Sequence, residues 1–328
     1  MVFWFWVGAA VLLVPPVAWG LGMAALYLYV RWKYMGFLER IFQERPLFII
    51  PRGQPTDDAE PVTLTASDGL TLRGCYIRTP VPTRKGVILF GLEYGSDRWS
   101  CRQYCEQLIA TGYDVFAYEP RNQGESDKDP NYEPLQWVTD RDVADMRTAV
   151  KYLRTRGDAD QNGIGIFGIS KGGSTGFIVA STDKGVKCIA TDGAYATYTT
   201  MVPYMQRWIS IYSDRLKLQR VLPRWFYGMV GILGAKKVGR TRGVRYPSVE
   251  KAVKNLRCPV LMIHGEGDTY IKPEMAKTLF ERARGPKDLW LVPNAKHNQA
   301  LTIAETDYHR RVVEFFDRHL VPAAPDQG

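Results

Sequence analysis

Residues 163–173 read Gly163-Ile164-Gly165-Ile166-Phe167-Gly168-Ile169-Ser170-Lys171-Gly172-Gly173. The run to Phe167 has the length and apolarity of a fully buried strand, and the residues from Lys171 onward suit a helix. Between them, Gly168 to Gly172 spell G-x-S-x-G in the strand–turn–helix context that this motif needs. So sharp a turn strains the serine backbone and requires Gly168 and Gly172 to carry no side chain. It lifts the Ser170 hydroxyl above a sheet edge, at a helix N-terminus that favours developing negative charge.

Working outward, strands and helices alternate. Pro61–Ala66 and Leu70–Arg78 read as two strands around the Ser67-Asp68-Gly69 turn. Strands follow at 86–91, 113–118, 163–168, 185–191, 259–264 and 288–292. Helices are expected at 98–111, 139–156, from Lys171, at 274–284 and at 302–319. In the second of these, Val143, Met146, Val150 and Leu153 recur on one face. Such alternation predicts an α/β fold, a mostly parallel sheet covered by helices on both faces. About 60 residues, Ala194 to Arg257, interrupt the rhythm where a direct connection needs far fewer, so a helical cap is expected there. The domain reading is 1–33 membrane anchor, 34–60 linker, 61–193 and 258–320 core, 194–257 cap and 321–328 tail.

Partners for Ser170 follow in chain order. Asp268 lies in His264-Gly265-Glu266-Gly267-Asp268, just past the strand 259–264, where active-site groups gather in open α/β sheets. Glu266, or Asp192 at the end of the preceding strand, are the alternative acids. The chain has four histidines. His264 reads as structural, and His309 and His319 read as surface residues of the last helix. His297 lies in a loop after the final strand, the natural place for a general base. The order Ser170, Asp268, His297 suits nucleophile, acid and base.

With these residues in place, the chain resembles α/β-hydrolase-fold serine hydrolases, close to the serine aminopeptidase/monoacylglycerol lipase-like group, over about residues 60–320. Arg121-Asn122-Gln123-Gly124-Glu125-Ser126 is similar to that group's R-G-x-G-x-S loop, with Asn122 in place of the first glycine. The group's strand–HG segment is represented by Phe90-Gly91-Leu92, but the histidine is missing and Glu93-Tyr94 follows. The resemblance implies acyl transfer through an acyl-enzyme on Ser170, with His297 as base and Asp268 orienting it. It also implies an oxyanion hole from the backbone N–H groups of Lys171 and Leu92, and no metal or organic cofactor. Lys171 has two readings. It is a solvated lysine of the first helical turn, or it reaches an anionic substrate or a carboxylate such as Glu93. Ser-Lys-Gly-Gly is also similar to acyl-CoA thioesterase/bile-acid acyltransferase-type relatives. A thioesterase, an acyltransferase or a peptidase on the same residues is therefore the alternative enzyme. A catalytically silent membrane scaffold is the alternative of another class, and the complete Ser-Asp-His set argues against it.

Charge is distributed unevenly. The chain has 328 residues and a net charge of +9. Thirteen basic and two acidic side chains lie between Arg207 and Arg257, so the whole positive excess sits in the expected cap. Trp208, Tyr212, Trp225, Phe226 and Tyr227 interleave with the basic residues, a pattern suited to an anionic membrane surface and a lipid-like ester. The bland reading is a solvated cap whose aromatics line an acyl pocket. No motif supports nucleic-acid binding.

Val2 to Val30 carries no charge, enough length for a bilayer span, although Pro15-Pro16 should kink one helix or split it into a hairpin. There is no basic segment ahead of it and no clear cleavage site, which argues for a retained anchor. Arg31, Lys33, Arg40 and Arg45 follow, so the positive-inside rule places the remaining chain in the cytoplasm; a secreted or periplasmic domain with an uncleaved signal is the alternative. Five cysteines in a chain of this size favour reduced thiols. Cys101 and Cys105 share one helix face without completing a zinc site. Composition as a whole, 45% hydrophobic and 23% charged, excludes disorder, collagen and coiled coil for the full chain.

Overall fold

A computed structural model describes residues 2–43, 50–134, 136–203 and 223–321. Eight strands form one sheet: β1 (Ala59–Thr65), β2 (Thr71–Ile77), β3 (Gly86–Gly91), β4 (Tyr113–Tyr118), β5 (Ile164–Ile169), β6 (Val186–Asp192), β7 (Val260–Gly265) and β8 (Lys287–Val292). Their spatial order is β1-β2-β4-β3-β5-β6-β7-β8. β1 and β2 pair antiparallel, as do β2 and β4, and every other pairing is parallel.

Helices cover both faces because the central strands are apolar on both. In β3, Val87 and Leu89 face one core cluster while Ile88 and Phe90 face the other. The first cluster is closed by α3 (Asp140–Thr155) and α4 (Lys171–Ala180), the second by α2 (Cys101–Ala110) and the C-terminal helix (Glu305–His319). Val143, Met146, Val150 and Leu153 are all buried, and Thr139 closes a capping box with Asp142 at the start of α3. His309, expected at the surface, is buried on the C-terminal helix, and burial pushes its imidazole pKa down.

Between β6 and β7 lie α5 (Arg224–Arg242) and α6 (Val249–Asn255). Residues 204–222 of the expected cap fall outside the described residues. The expected cap boundary at 257 needs correction. Val249, Val253 and Leu256 are buried in the first core cluster, and α6 packs on α4 and on α7 (Pro273–Arg282). It is therefore the ordinary crossover helix of a β6–β7 unit, and it belongs to the body. Helix α5 remains cap. It ends at Gly243, whose φ of 63° suits the left-handed position after a helix. Completing the set, α8 (Ala300–Ile303) and α9 (Glu305–His319) divide the single closing helix expected over 302–319.

The N-terminal reading also changes. Helix α1 (Val2–Gln43) is one helix through Pro15 and Pro16, with no hairpin, and it continues ten residues into the expected linker. Among the described residues no helix is long and apolar enough to cross a membrane. The side chains of residues 1–13 in the expected 1–33 anchor lie outside that description. The described part instead has a protein partner. Met23, Leu26, Tyr27 and Val30, spaced three and four apart, pack against the cluster containing Phe226, Val230 and Val238 of α5. Trp19 meets Trp225 edge-on at 6.1 Å.

Candidate active site

The site is assembled at the carboxyl ends of the parallel strands. Gly168 of β5 lies in register with Gly91 of β3, and Ile169 with Asp192 of β6. The chain then turns at Ser170, whose φ of 50° and ψ of −111° put a non-glycine residue in a strained region. A Cβ on Gly168 would sit 2.5 Å from the Gly173 backbone, and one on Gly172 would sit 2.1 Å from Gly91 O. Both glycines are required by contact, as the motif implied. The elbow is held by Ser170 N–H donating to Asp192 O at 2.7 Å and by Ser174, whose hydroxyl donates to Tyr195 O at 2.9 Å.

From this turn a line of hydrogen bonds runs through three of the expected residues. Ser170 Oγ is 3.0 Å from His297 Nε2, and His297 Nδ1 is 2.7 Å from Asp268 Oδ2. The other carboxylate oxygen of Asp268 accepts from Tyr270 N and Ile271 N at 2.8 Å each. Two backbone bonds fix the acid loop on the base loop. Glu266 N–H donates to Val292 O and Gly267 N–H to Ala295 O, both at 2.9 Å. A Cβ on Gly265 would lie 2.3 Å from Ala295 O, so the loops meet where no side chain fits.

The alternative acids are now distinguishable. Glu266 is exposed and Asp192 is buried. Asp192 accepts from Tyr308 Oη at 3.0 Å, and burial pushes its carboxyl up to about 7. His264 is 1% exposed, lies 2.7 Å from Ile271 O through Nε2, and has its pKa lowered by burial. It supports the Asp268 turn from beneath.

Lys171 is not the solvated lysine of the first reading, and it does reach a carboxylate, Asp142 in place of Glu93. Its ammonium is buried, 2.8 Å from Asp142 Oδ1. Asp142 is also the carboxylate of the α3 capping box, so the pair ties the nucleophile turn to the start of α3. Leu92 is buried immediately after β3, and its carbonyl O would be 2.6 Å from a Gly172 Cβ. The expected oxyanion loop therefore lies against the elbow.

The loop after β4 explains its departure from the R-G-x-G-x-S pattern. Asn122 has a φ of 62°, a left-handed conformation that Asn tolerates better than most residues. Its amide donates to Asp129 O and Tyr132 O, and its Oδ1 accepts from Asp129 N. Arg121 is 1% exposed and gives charge-assisted bonds to Asp145 and Asp68. Gln123 Oε1 accepts from Gly95 N at 3.0 Å, steadying the segment after Glu93.

Residues the sequence reading passed over include Asn298, Tyr270, Asp142 and Gln136. Tyr270 lies beside the His297 ring, with centroids 5.6 Å apart, and its hydroxyl meets Gln136. No motif marks them. Among the described residues no group of three or more His, Cys, Asp or Glu is placed to hold a metal. All five cysteines are free, and Cys101 and Cys105 are buried in the second core cluster.

Comparison with known proteins agrees with this architecture. A family model for the alpha/beta hydrolase fold matches residues 87–246. The Bacillus subtilis (strain 168) protein YqkD, described as uncharacterized, is 27% identical over 219 residues, 66% of this chain and 66% of its own. The uncharacterized Escherichia coli (strain K12) protein YfhR is 24% identical over 273 residues, 80% of this chain and 82% of its own. Among solved structures, the Pyrococcus furiosus esterase Pf2001 superposes with a TM-score of 0.62 at 24% identity, covering 84% of this chain and 100% of that one. The sheet order, the strained serine turn and these likenesses together make this chain an α/β-hydrolase-fold protein.

Proposed function

We propose that the protein is a serine hydrolase of carboxylic esters. The observation that carries this reading is the unbroken line Ser170 Oγ–His297 Nε2, His297 Nδ1–Asp268 Oδ2, set at a strained turn. In the reaction, Ser170 Oγ attacks the ester carbonyl as its proton passes to His297 Nε2. Asp268 holds the ring so that Nε2 faces the serine, and it stabilises the imidazolium. The oxyanion is held by the Lys171 and Leu92 N–H groups and by the α4 N-terminus, each donor contributing roughly 3 kcal/mol. His297 then gives the proton to the leaving alcohol. Water, activated by the same ring, releases the acid and restores Ser170.

An esterase and an acylaminoacyl peptidase of known structure share this fold, so the ester reading over thioester or amide is left to the substrate panel. The buried Lys171–Asp142 pair removes the lysine as a direct reader of an anionic substrate. A fluorophosphonate probe tests the proposal: the wild type is labelled, while Ser170→Ala and His297→Ala are not. A wild type that resists labelling would favour a binding scaffold. A panel of p-nitrophenyl esters, acyl-CoAs and aminoacyl amides separates the enzyme classes.

The same proposal places the protein at a membrane, with the hydrolase body on the cytoplasmic side. Val14, Val17, Leu21, Leu28 and Trp32 of α1 are more than half exposed, and Trp225 of α5 is 50% exposed beside them. Lys236, Arg240 and Arg245 line an open cavity of about 630 Å³ on the cap. Exposed apolar side chains on α1 together with basic side chains on the cap suit an anionic leaflet. A lipid-like ester is the substrate that such a position favours.

A further inference from the structure

Glu93 directly follows the expected oxyanion donor Leu92, and it is 3% exposed. The nearby cations are engaged elsewhere. Lys171 pairs with Asp142, and Arg98 pairs with Glu119 and Glu125. What Glu93 does meet is Asn298, whose Nδ2 donates to Glu93 Oε2 at 2.5 Å.

Asn298 is the residue after His297. Its φ of 55° is left-handed, and its side chain is wedged against Gly193, where a Cβ would lie 2.6 Å from Asn298 Oδ1. Among the described residues Asn298 Oδ1 has no hydrogen-bond partner. Its polar anchorage through the side chain is therefore the bond to Glu93. The topology gives that bond its importance. Leu92 and Glu93 follow β3, and His297 and Asn298 follow β8. Three strands, β5, β6 and β7, lie between β3 and β8. No ladder hydrogen bond joins the two loops directly; the Glu93–Asn298 side-chain bond does.

We propose that Glu93 is a positioning residue: through Asn298 it ties the loop carrying the oxyanion donor to the loop carrying the general base. The inference rests on the hydrolase reading above. The groups facing Glu93 are Asp192 on β6, itself bonded by Tyr308 of α9, Tyr104 of α2, and the His297–Asn298 segment. Burial, with the nearby Asp192 charge, pushes the Glu93 carboxyl up to about 8 against the opposing Asn298 bond. Near neutrality it is then mostly the uncharged acid, which can bridge without opposing the negative charge that forms beside Leu92. As pH rises through that value, Glu93 ionises next to the developing oxyanion and turnover should fall.

The test compares full-length wild type, Glu93→Gln, Glu93→Ala and Asn298→Ala by kcat and KM on a p-nitrophenyl ester from pH 5 to 10, with thermal melting as the folding control. A misplaced loop costs about 10–100-fold in rate. Glu93→Ala and Asn298→Ala should lose kcat on that scale with little change in KM. Glu93→Gln, neutral at every pH, should restore most of the rate and lack the wild-type alkaline decline centred near pH 8. Full kcat in a folded Glu93→Ala overturns the proposal and leaves the hydrolase reading standing. So does Glu93→Gln behaving like Glu93→Ala while keeping the alkaline decline. No fluorophosphonate labelling of the wild type would overturn both.

Discussion

Lys171 Nζ lies 2.8 Å from Asp142 Oδ1, and the two side chains are 4% and 5% exposed. The residue beside the nucleophile is thus part of the internal framework, joined to a carboxylate that also caps α3. Removing one partner of such a pair leaves an uncompensated buried charge. Lys171→Ala should therefore lose roughly 3–5 kcal/mol of stability, read as a lower urea midpoint. Lys171→Met combined with Asp142→Asn should recover part of the loss. A stability unchanged by Lys171→Ala would contradict this account.

Asp268→Asn should keep the fold and lose turnover. An amide cannot accept the Nδ1–H while also taking the Tyr270 and Ile271 amides as the carboxylate does. The expected drop in kcat is about 10³–10⁴-fold, with KM nearly unchanged. Glu266→Gln, on an exposed side chain, should leave kcat within about twofold. The reverse ranking would move the acid role to Glu266.

Gly172→Ala should disrupt the site, because its Cβ would lie 2.1 Å from Gly91 O, a backbone atom that cannot swing away. A lowered melting temperature and lost probe labelling are expected together. Gly157→Ala is the matched control. Nothing lies within 4 Å of a Cβ there, and its effect should stay within about 1 kcal/mol.

Asp192 gives a pH-dependent stability. Burial holds its carboxyl up to about 7 in the fold, whereas an unfolded aspartate titrates near 4 (about 3.9). Below the unfolded value both states are protonated. Between the two values the unfolded state has released its proton and the folded state has not, so stability falls as pH rises. Above the folded value the difference is constant. Asp192→Asn should therefore gain stability over wild type as pH rises from about 4 to 7, with the gap flat beyond, while still accepting from Tyr308. Denaturation series at fixed pH values would show the gap, and a pH-independent gap would refute it.

The full-length protein should float with vesicles containing anionic lipid. Trp32→Ser with Trp225→Ser should weaken that binding at every ionic strength, because both side chains are exposed. Lys236→Glu with Arg240→Glu should weaken it chiefly at low salt, where surface charge is least screened. Equal binding of all forms to neutral and anionic vesicles would argue against the membrane-facing cap.

Much of the site was legible because its chemistry is punctuated locally. Gly168, Ser170 and Gly172 announce a turn that only glycines permit, and Asp268 and His297 sit at predictable strand ends. The periodicity of α3 was equally plain. Less legible was whatever depended on a distant partner. The α6 segment reads as basic cap by charge, yet Val249, Val253 and Leu256 bury it in the body. The apolar run of α1 reads as a membrane span, yet one of its faces, with Met23, Tyr27 and Val30, meets α5. Hydropathy measures the wish to leave water and does not name the surface that receives it.

By itself the sequence determined the alternation of strands and helices, the strained serine turn and the order of Ser170, Asp268 and His297, because each depends on neighbours a few residues away. Tertiary structure alone decided that Asp142 would neutralise Lys171, that Asp268 and not Glu266 would meet His297, and that Glu93 would reach Asn298. These choices bring together residues 29 to 205 positions apart. Packing, and not spacing along the chain, selects which buried charge finds which partner.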